Sequence, residues 1–442
     1  MGLGGPSTAK LKVSLNAALF CACMTPANAQ DEGGLRANLT FSTGLTASDT
    51  DDSGLRTDLG FGITSETRTQ TFAATALTGI VASFEDDETL GLDNPNLRLS
   101  YGIESRQVAV NTTLTYARTD VDSLIATDVA DILVIDEGTR ETVGAALGLT
   151  FGREAPFGGE VNLSYRDLRY ADTVDPDLID ETTTTAAVNL RFDIDQTVTA
   201  TLGYSISEED TDSGNDTRRE RLTLGAVIAV SPSLDVNVSA GLSQITTDEN
   251  SATSVVEGGN YGLGLTQARP NGAIRFALSS DLSENGRRTT ATLGRDYETP
   301  GGTLMADIGL TQGSDDTLRP LYKLSYSNEL ARARYSVSLD QGFATTNDGN
   351  EALNSRFAFT WQQDLTRTSR FGSDISYQMT NVLGQDDDTD RLRLGMRYSQ
   401  DIAEDWALTA RYTHTVINES GSSTTRENEL FLGIETTLEW RP

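Results

Sequence analysis

The sequence predicts an all-β chain: an antiparallel up-and-down β-barrel that crosses a membrane. Three observations predict it. The chain opens with an export leader, apolar and polar residues alternate from Leu35 to Trp440, and the connections between alternating segments are short and long by turns.

The leader comes first. Lys10 and Lys12 give a positive start, Val13 to Met24 supply a short apolar stretch, and Ala27-Asn28-Ala29 has the small-x-small form of a cleavage site. Residues 1–29 are therefore expected to be a signal peptide, with the barrel in residues 30–442. The apolar stretch is short of the ~20 residues that a spanning helix needs. Cys21 and Cys23 both fall in this leader, and Phe20-Cys21-Ala22 makes a poor lipidation site, so the exported chain is expected to carry no thiol.

The alternation comes second. Leu234, Val236, Val238, Ala240 and Leu242 share one face, and Asp235, Asn237, Ser239 and Gly241 share the other. Val198, Ala200, Leu202, Tyr204 and Ile206 repeat the pattern, as do Trp406, Leu408, Ala410 and Tyr412. A period of two is the mark of a strand with different surroundings on its two sides. Counting such segments predicts about 22 strands, within a range of 18 to 24 (roughly ten residues each, enough at a ~45° tilt for a ~25 Å apolar band). A soluble propeller or β-helix would fill its interior with large apolar side chains. Here the second face is Thr, Ser, Asn, Gly, Asp and Arg, which suits a water-lined lumen. Phe151, Phe192, Trp361, Trp406 and Trp440 fall near strand ends, as an interfacial girdle requires.

The connections come third. Ser231-Pro232-Ser233 and Thr299-Pro300-Gly301-Gly302 are tight turns. Ala47–Gly54, Glu85–Asn96, Thr119–Thr139, Asp172–Glu181, Glu208–Thr217 and Asn381–Asp390 are longer and acidic. Such asymmetry is usual for membrane barrels. An even strand count puts both termini on the side of the short turns.

Parity assigns the charges. Arg36, Arg56, Arg98, Arg191, Arg275, Arg332, Arg334, Arg393, Arg397 and Arg411 alternate with the apolar face, as do Asp58, Asp193, Asp307, Asp374 and Glu435. An arginine facing lipid at mid-depth costs ~2–4 kcal/mol, so these residues are expected to line the pore. Such opposed charges either tune solute choice or pair to stiffen the wall. Twenty-two strands enclose roughly 44 Å between backbones, which calls for a constriction. The longest loop supplies a candidate in Asp120, Asp122, Ile125, Val129, Ile132 and Leu133, whose apolar members recur at helical spacing. Alternatively, Ile132 to Ile135 prolongs a strand.

Composition excludes several functions. Net charge is −31 overall and −33 after the leader, which contributes two lysines and no acids, and this argues against nucleic acid as a partner. The one histidine, His414, falls on the apolar face, where it cannot serve a hydrolase. No enzyme is expected. No acidic cluster has the spacing of an EF-hand. No cofactor is expected, and weak Ca2+ or Mg2+ binding at the acidic external loops is the one metal chemistry left open. An acidic mouth concentrates cations at low salt.

The last segment, Leu430-Phe-Leu-Gly-Ile-Glu-Thr-Thr-Leu-Glu-Trp440, resembles the C-terminal strand of outer-membrane proteins, although the chain ends Trp440-Arg441-Pro442 rather than on phenylalanine. The whole exported chain resembles porin-like barrels of Gram-negative bacteria, including ones associated with polysaccharide export. The resemblance implies the cell outer membrane, with its lipid, lipopolysaccharide and the barrel-assembly machinery as partners. TonB-dependent transporters also have 22 strands, but carry a plug of well over a hundred residues before the barrel, whereas alternation here begins at Leu35. The expectation is therefore a plug-free channel for passive diffusion of small hydrophilic solutes, cation-favouring or oligosaccharide-sized. The alternatives are a conduit for exported polysaccharide, or a surface barrel that conducts little.

Overall fold

The computed structural model describes residues 34–441 except 50–52, 85–90, 122–135, 137, 176–177, 250–251, 314, 346–350, 385–387 and 422. The expected signal peptide lies outside the described residues. Among those described, twenty-two strands follow in order. They are β1 (Leu35–Ser48), β2 (Gly54–Glu66), β3 (Gln70–Ser83), β4 (Gly91–Glu104), β5 (Val108–Asp120), β6 (Thr139–Phe151) and β7 (Phe157–Ala171). Next come β8 (Glu181–Asp193), β9 (Val198–Thr211), β10 (Asn215–Ser231), β11 (Leu234–Glu249), β12 (Ala252–Arg269), β13 (Gly272–Ser283) and β14 (Gly286–Thr299). The last are β15 (Gly302–Gln312), β16 (Leu318–Glu329), β17 (Ala333–Thr345), β18 (Glu351–Asp364), β19 (Ser369–Val382), β20 (Asp388–Asp401), β21 (Trp406–Glu419) and β22 (Thr425–Trp440).

Each strand pairs antiparallel with the next, and β1 pairs with β22 from Ala37↔Trp440 to Ser48↔Glu429, which closes the ring. Closure is what hydrocarbon demands, because an open edge would leave backbone donors and acceptors without water. The terminal alternation up to Trp440 is thus the strand that completes the barrel. At this seam Gly44 faces Gly433, and a Cβ on Gly44 would come within 2.5 Å of the Gly433 Cα. The two strands meet at a point where neither tolerates a side chain.

A second use of glycine shapes the lumen. Asn38 faces Gly62, Asn237 faces Gly264, Asp307 faces Gly294 and Asp374 faces Gly395. In each pair the polar side chain lies across the glycine, in the space a Cβ would occupy. Polar groups therefore lie flat against the wall and keep the lumen wide.

Outward, Leu45, Leu224, Leu242, Ile308 and Leu432 stand exposed, as lipid contacts must. Aromatic rings gather at the short-turn end. Phe157 lies between Phe151 and Phe192, with centroid distances of 5.9 and 5.0 Å, Tyr326 meets Tyr335 at 5.7 Å, and Trp361 meets Phe371 at 5.6 Å. His414 faces outward with them and bonds Asn428 through Nδ1 at 2.8 Å.

Three details depart from the alternation. Strands overrun several expected loops: β9 and β10 continue through most of 208–217, because Arg218 and Arg219 pair with Glu208 and Glu209 across the two strands. Segment 85–96 is likewise not all loop, since β4 begins at Gly91. A bulge opposite Leu77 and Gly79, with Asn94 at φ 46°, shifts its register by one residue and turns Asp93 inward. Arg332, expected on a strand face, instead lies in the turn between β16 and β17. Its carbonyl accepts the Asp364 N–H there, so parity does not apply to it.

Gly44→Val is expected to cost about 1–3 kcal/mol through overpacking at the closing seam, while Gly34→Val, which meets no atom within 4 Å, is expected to be silent. Urea midpoints of the refolded barrels in lipid, read by heat-modifiable gel mobility, measure the difference.

Candidate functional site in the lumen

The inward face carries three groups of charges. The first sits beside the closing seam at mid-height, where β2, β4, β21 and β22 converge. Arg56 bonds Asp58 at 2.9 Å and meets Asp93 at 2.7 Å, the latter an ion pair without hydrogen-bond alignment. Arg411 approaches Asp58 at 3.5 Å and stacks over the Phe431 ring at 4.5 Å. Phe431 is buried there, an aromatic floor beneath the guanidinium.

The second group is a row running from strand to strand. Arg275 faces Gly294, Gly294 faces Asp307, Asp307 faces Lys323, Lys323 faces Asp340, and Asp340 faces Arg356. Arg275 joins Asp296 and Asp307 at 2.8 and 3.1 Å. The sign of the charge alternates along the charged members of the row, and within it Arg275 and Asp307 form an ion pair.

The third group rings the short-turn end. Arg397 bonds Glu435 at 2.6 Å, Arg334 meets Glu329 at 2.7 Å, and Arg191 donates to the Gly152 and Ala155 carbonyls at 3.1 and 3.0 Å. With Arg332, Arg370 and Trp406, several of these residues line a cavity of about 810 Å³. Asp193 accepts from Thr199 Oγ1 at 2.9 Å and lies 3.5 Å from Arg191 Nε.

Exposure varies along the lumen. Toward the loop end, the inward residues Leu168, Ser243, Ile245, Ala352, Arg391 and Ile417 are buried, none of them more than 8 % exposed. Toward the turn end the charges stand in the open, with the Arg334 and Glu329 side chains 70 % and 66 % exposed. Exposure is nonetheless mixed at both ends, since the inward Arg221 and Asp281 side chains toward the loops are 44 % and 47 % exposed and the inward Thr409 toward the turns is buried.

Beyond the membrane the carboxylates have local partners. Arg319, and next the Thr317 N–H, hold the Asp315 carboxyl well below the usual carboxylate range, and the Asn428 side chain lowers that of Asp49. Among the described residues no group of three or more His, Cys, Asp and Glu is arranged to hold a metal. Much of the acidic sequence, including Asp51, Asp52 and 85–88, lies outside them.

Parity thus brings Arg56, Asp58 and Arg411 into one cluster, Arg275 and Asp307 into the row, and Arg191, Asp193, Arg334, Arg397 and Glu435 to the turn end. Arg36 and Arg98 stand exposed on the inward face, Arg393 is half-buried, and Asp374 lies over Gly395. Asp120 ends β5, whereas Asp122, Ile125, Val129, Ile132 and Leu133 lie outside the described residues. Sequence reasoning missed Asp93, hidden by the bulge. It also missed Lys323, although this is the one lysine in residues 30–442, a signal that was there to be counted.

No family model and no curated relative matches the chain. Solved structures do. The chain is similar to the ferric-catecholate import receptor Fiu of E. coli K12, with a TM-score of 0.59 and 9% identity over 93% of this chain and 82% of that one. It is similar to the ferric enterobactin receptor PfeA of Pseudomonas aeruginosa, with a TM-score of 0.54 and 10% identity over 93% and 81%. The siderophore receptor PirA of Acinetobacter baumannii gives 0.54 and 9% over the same shares. The fold is that of an outer-membrane barrel of a Gram-negative bacterium, and the outer membrane is its location.

These findings correct the porin expectation. The matching barrels are TonB-dependent receptors, a class with a plug, so the plug-free description of the fold does not stand. It rested on where alternation begins, which locates the first strand and does not say what fills the lumen. The reading as a passive channel for small hydrophilic solutes falls with it, because a width of 22 strands is shared with receptors.

Arg56→Gln removes the cation between Asp58 and Asp93. It is expected to cost about 1.5–3 kcal/mol, as the loss of a charged hydrogen-bond partner does. Arg56→Gln combined with Asp93→Asn is expected to recover most of that loss, as read from urea midpoints in a double-mutant cycle.

Proposed function

We propose that this protein is the barrel of a receptor-type importer that takes up a bulky polar ligand of the metal-chelate class across the outer membrane and stays closed at rest. The observation that carries this reading is the closed ring of 22 strands, the architecture of the import receptors that the chain resembles. The likeness to import receptors over 93% of the chain supports the same reading. Charge narrows the ligand. A charge of −33 after the leader repels a polyanionic ferric catecholate, so a neutral or cationic chelate fits better. The outward His414, bonded to Asn428, gives no base for catalysis and supports a non-enzymatic role.

Two measurements test the reading. In planar bilayers the refolded protein is expected to insert silently, and in iron-limited cells uptake of a radiolabelled neutral ferric chelate is expected to stop when the proton gradient is collapsed. A steady ohmic conductance, or uptake that ignores the uncoupler, overturns it.

A further inference from the structure

The wall forks between β16 and β17. Pairing there runs from Glu329↔Arg334 up to Lys323↔Asp340 and stops. Both strands continue beyond it. Leu318–Tyr322 remain paired with β15, and Gln341–Thr345 remain paired with β18, but the two stretches do not pair with each other. Pairing also stops short between β4 and β5 and between β12 and β13, but there only 118–120 and 281–283 run on along the second strand. Two further observations mark the β16–β17 fork. Pro320 stands in the open stretch of β16, and proline is tolerated at a free edge rather than inside a sheet. Above the fork Arg288 of β14 bonds Glu351 of β18 at 2.5 Å, with its guanidinium 4.3 Å from the centre of the Phe343 ring. Glu351 also lies against the tip of the β15–β16 hairpin, where a Cβ on Gly313 would come 3.3 Å from its Oε2, so the fork is bridged at its outer end and unpaired below it.

Depth makes the fork significant. The Tyr326–Tyr335 pair belongs to the inner girdle, and Lys323 is three residues above it, roughly 8 Å for a tilted strand. The open edges thus run upward through the hydrocarbon, where lipid-exposed edges are not tolerated unless something covers or lines them. The outer lip is apolar, with Leu318 and Pro320 exposed. At the inner apex stand two unmatched polar groups. The Lys323 side chain is exposed in the lumen, and Asp340 Oδ2 is buried without a hydrogen-bond partner. They face each other in register, yet no ion pair joins them among the described residues. Asp307 on the other side of Lys323 is already engaged by Arg275.

We infer that the β16–β17 fork is a lateral opening between lumen and bilayer that admits the acyl chain of a phosphate-bearing amphiphile, with Lys323 and Asp340 receiving its head. Lys323 donates to the phosphate, a point charge serving a task for which no other lysine is present in residues 30–442. Asp340 accepts from a head-group hydroxyl. The chain lies along Leu318, Pro320 and Leu321 and covers the strand edges. This inference stands apart from the nature of the imported ligand.

The absence of cysteine after residue 29 makes the test clean. Nitroxide labels are placed singly at Leu321→Cys and Ser325→Cys, two positions on the same inward face above and below the apex, with Gly342→Cys as a second reporter across the fork. In vesicles of phosphatidylglycerol, the labels at 321 and 342 are expected to be relaxed mainly by oxygen, which partitions into lipid. The label at 325 is expected to respond mainly to a water-soluble nickel chelate. Nickel dominance at all three positions overturns the opening. A fluorophore at 321 then reports quenching by acyl-chain-doxyl phosphatidylglycerol. Lys323→Gln is expected to weaken that quenching affinity about tenfold, the worth of one charge-assisted hydrogen bond. Unchanged affinity overturns the head-group assignment.

Discussion

Everything in this molecule depends on one constraint, that a sheet placed in hydrocarbon has no water to satisfy its backbone. The chain meets it by pairing β1 with β22 over twelve residue pairs, from Ala37↔Trp440 to Ser48↔Glu429. Closure in turn fixes parity. Once each strand is held on both sides, every residue is committed to lipid or lumen, and a shift of one position would expose a whole row of charges to the membrane. The closing seam shows how tightly this is drawn, since Gly44 and Gly433 leave no room for a Cβ.

The lumen follows from the same commitment. Thirty-one arginines and a single lysine must be placed where they cost little, and the inward face is that place. There many charges come in opposite pairs, as in Arg56 with Asp58 and Asp93, or Arg275 with Asp296 and Asp307. Such pairs cancel at short range, so the wall is polar without a strong net sign. Excess acid is left to the loops and rim, where Asp315 and Asp49 are held ionised by local donors. The result separates two tasks: the wall supplies stiffness and a wet surface, and the outside supplies a negative field.

Where the wall departs from regularity, it does so in places of functional interest. The bulge at Asn94 turns Asp93 toward Arg56 and completes the mid-height cluster. The fork above Lys323 breaks the ladder that lipid otherwise demands. Both departures occur beside glycine or proline, at Gly79 and Pro320, residues that weaken a strand's hold on its neighbour. Local strand chemistry and the special features of the site are thus linked by the same residues.

The sequence by itself determined the architecture. Strict alternation through segments such as Leu234–Leu242, the short turns at Ser231-Pro232-Ser233 and the terminal run to Trp440 are local patterns, and a barrel in lipid is their direct physical consequence. Parity likewise placed Arg56, Asp58, Arg275, Asp307, Arg397 and Glu435 on one face. Only the tertiary structure decided which of these meet, because Arg56 and Arg411 stand hundreds of residues apart in the chain and share Asp58 only after closure. It also decided the placement of Arg332 in a turn, the inward turn of Asp93, the burial of lumen-facing residues such as Ile245 and the fork beneath Pro320. These depend on register between strands and on what lies over them. A period of two cannot encode either, because it records the side to which a residue points and not the neighbour it finds there.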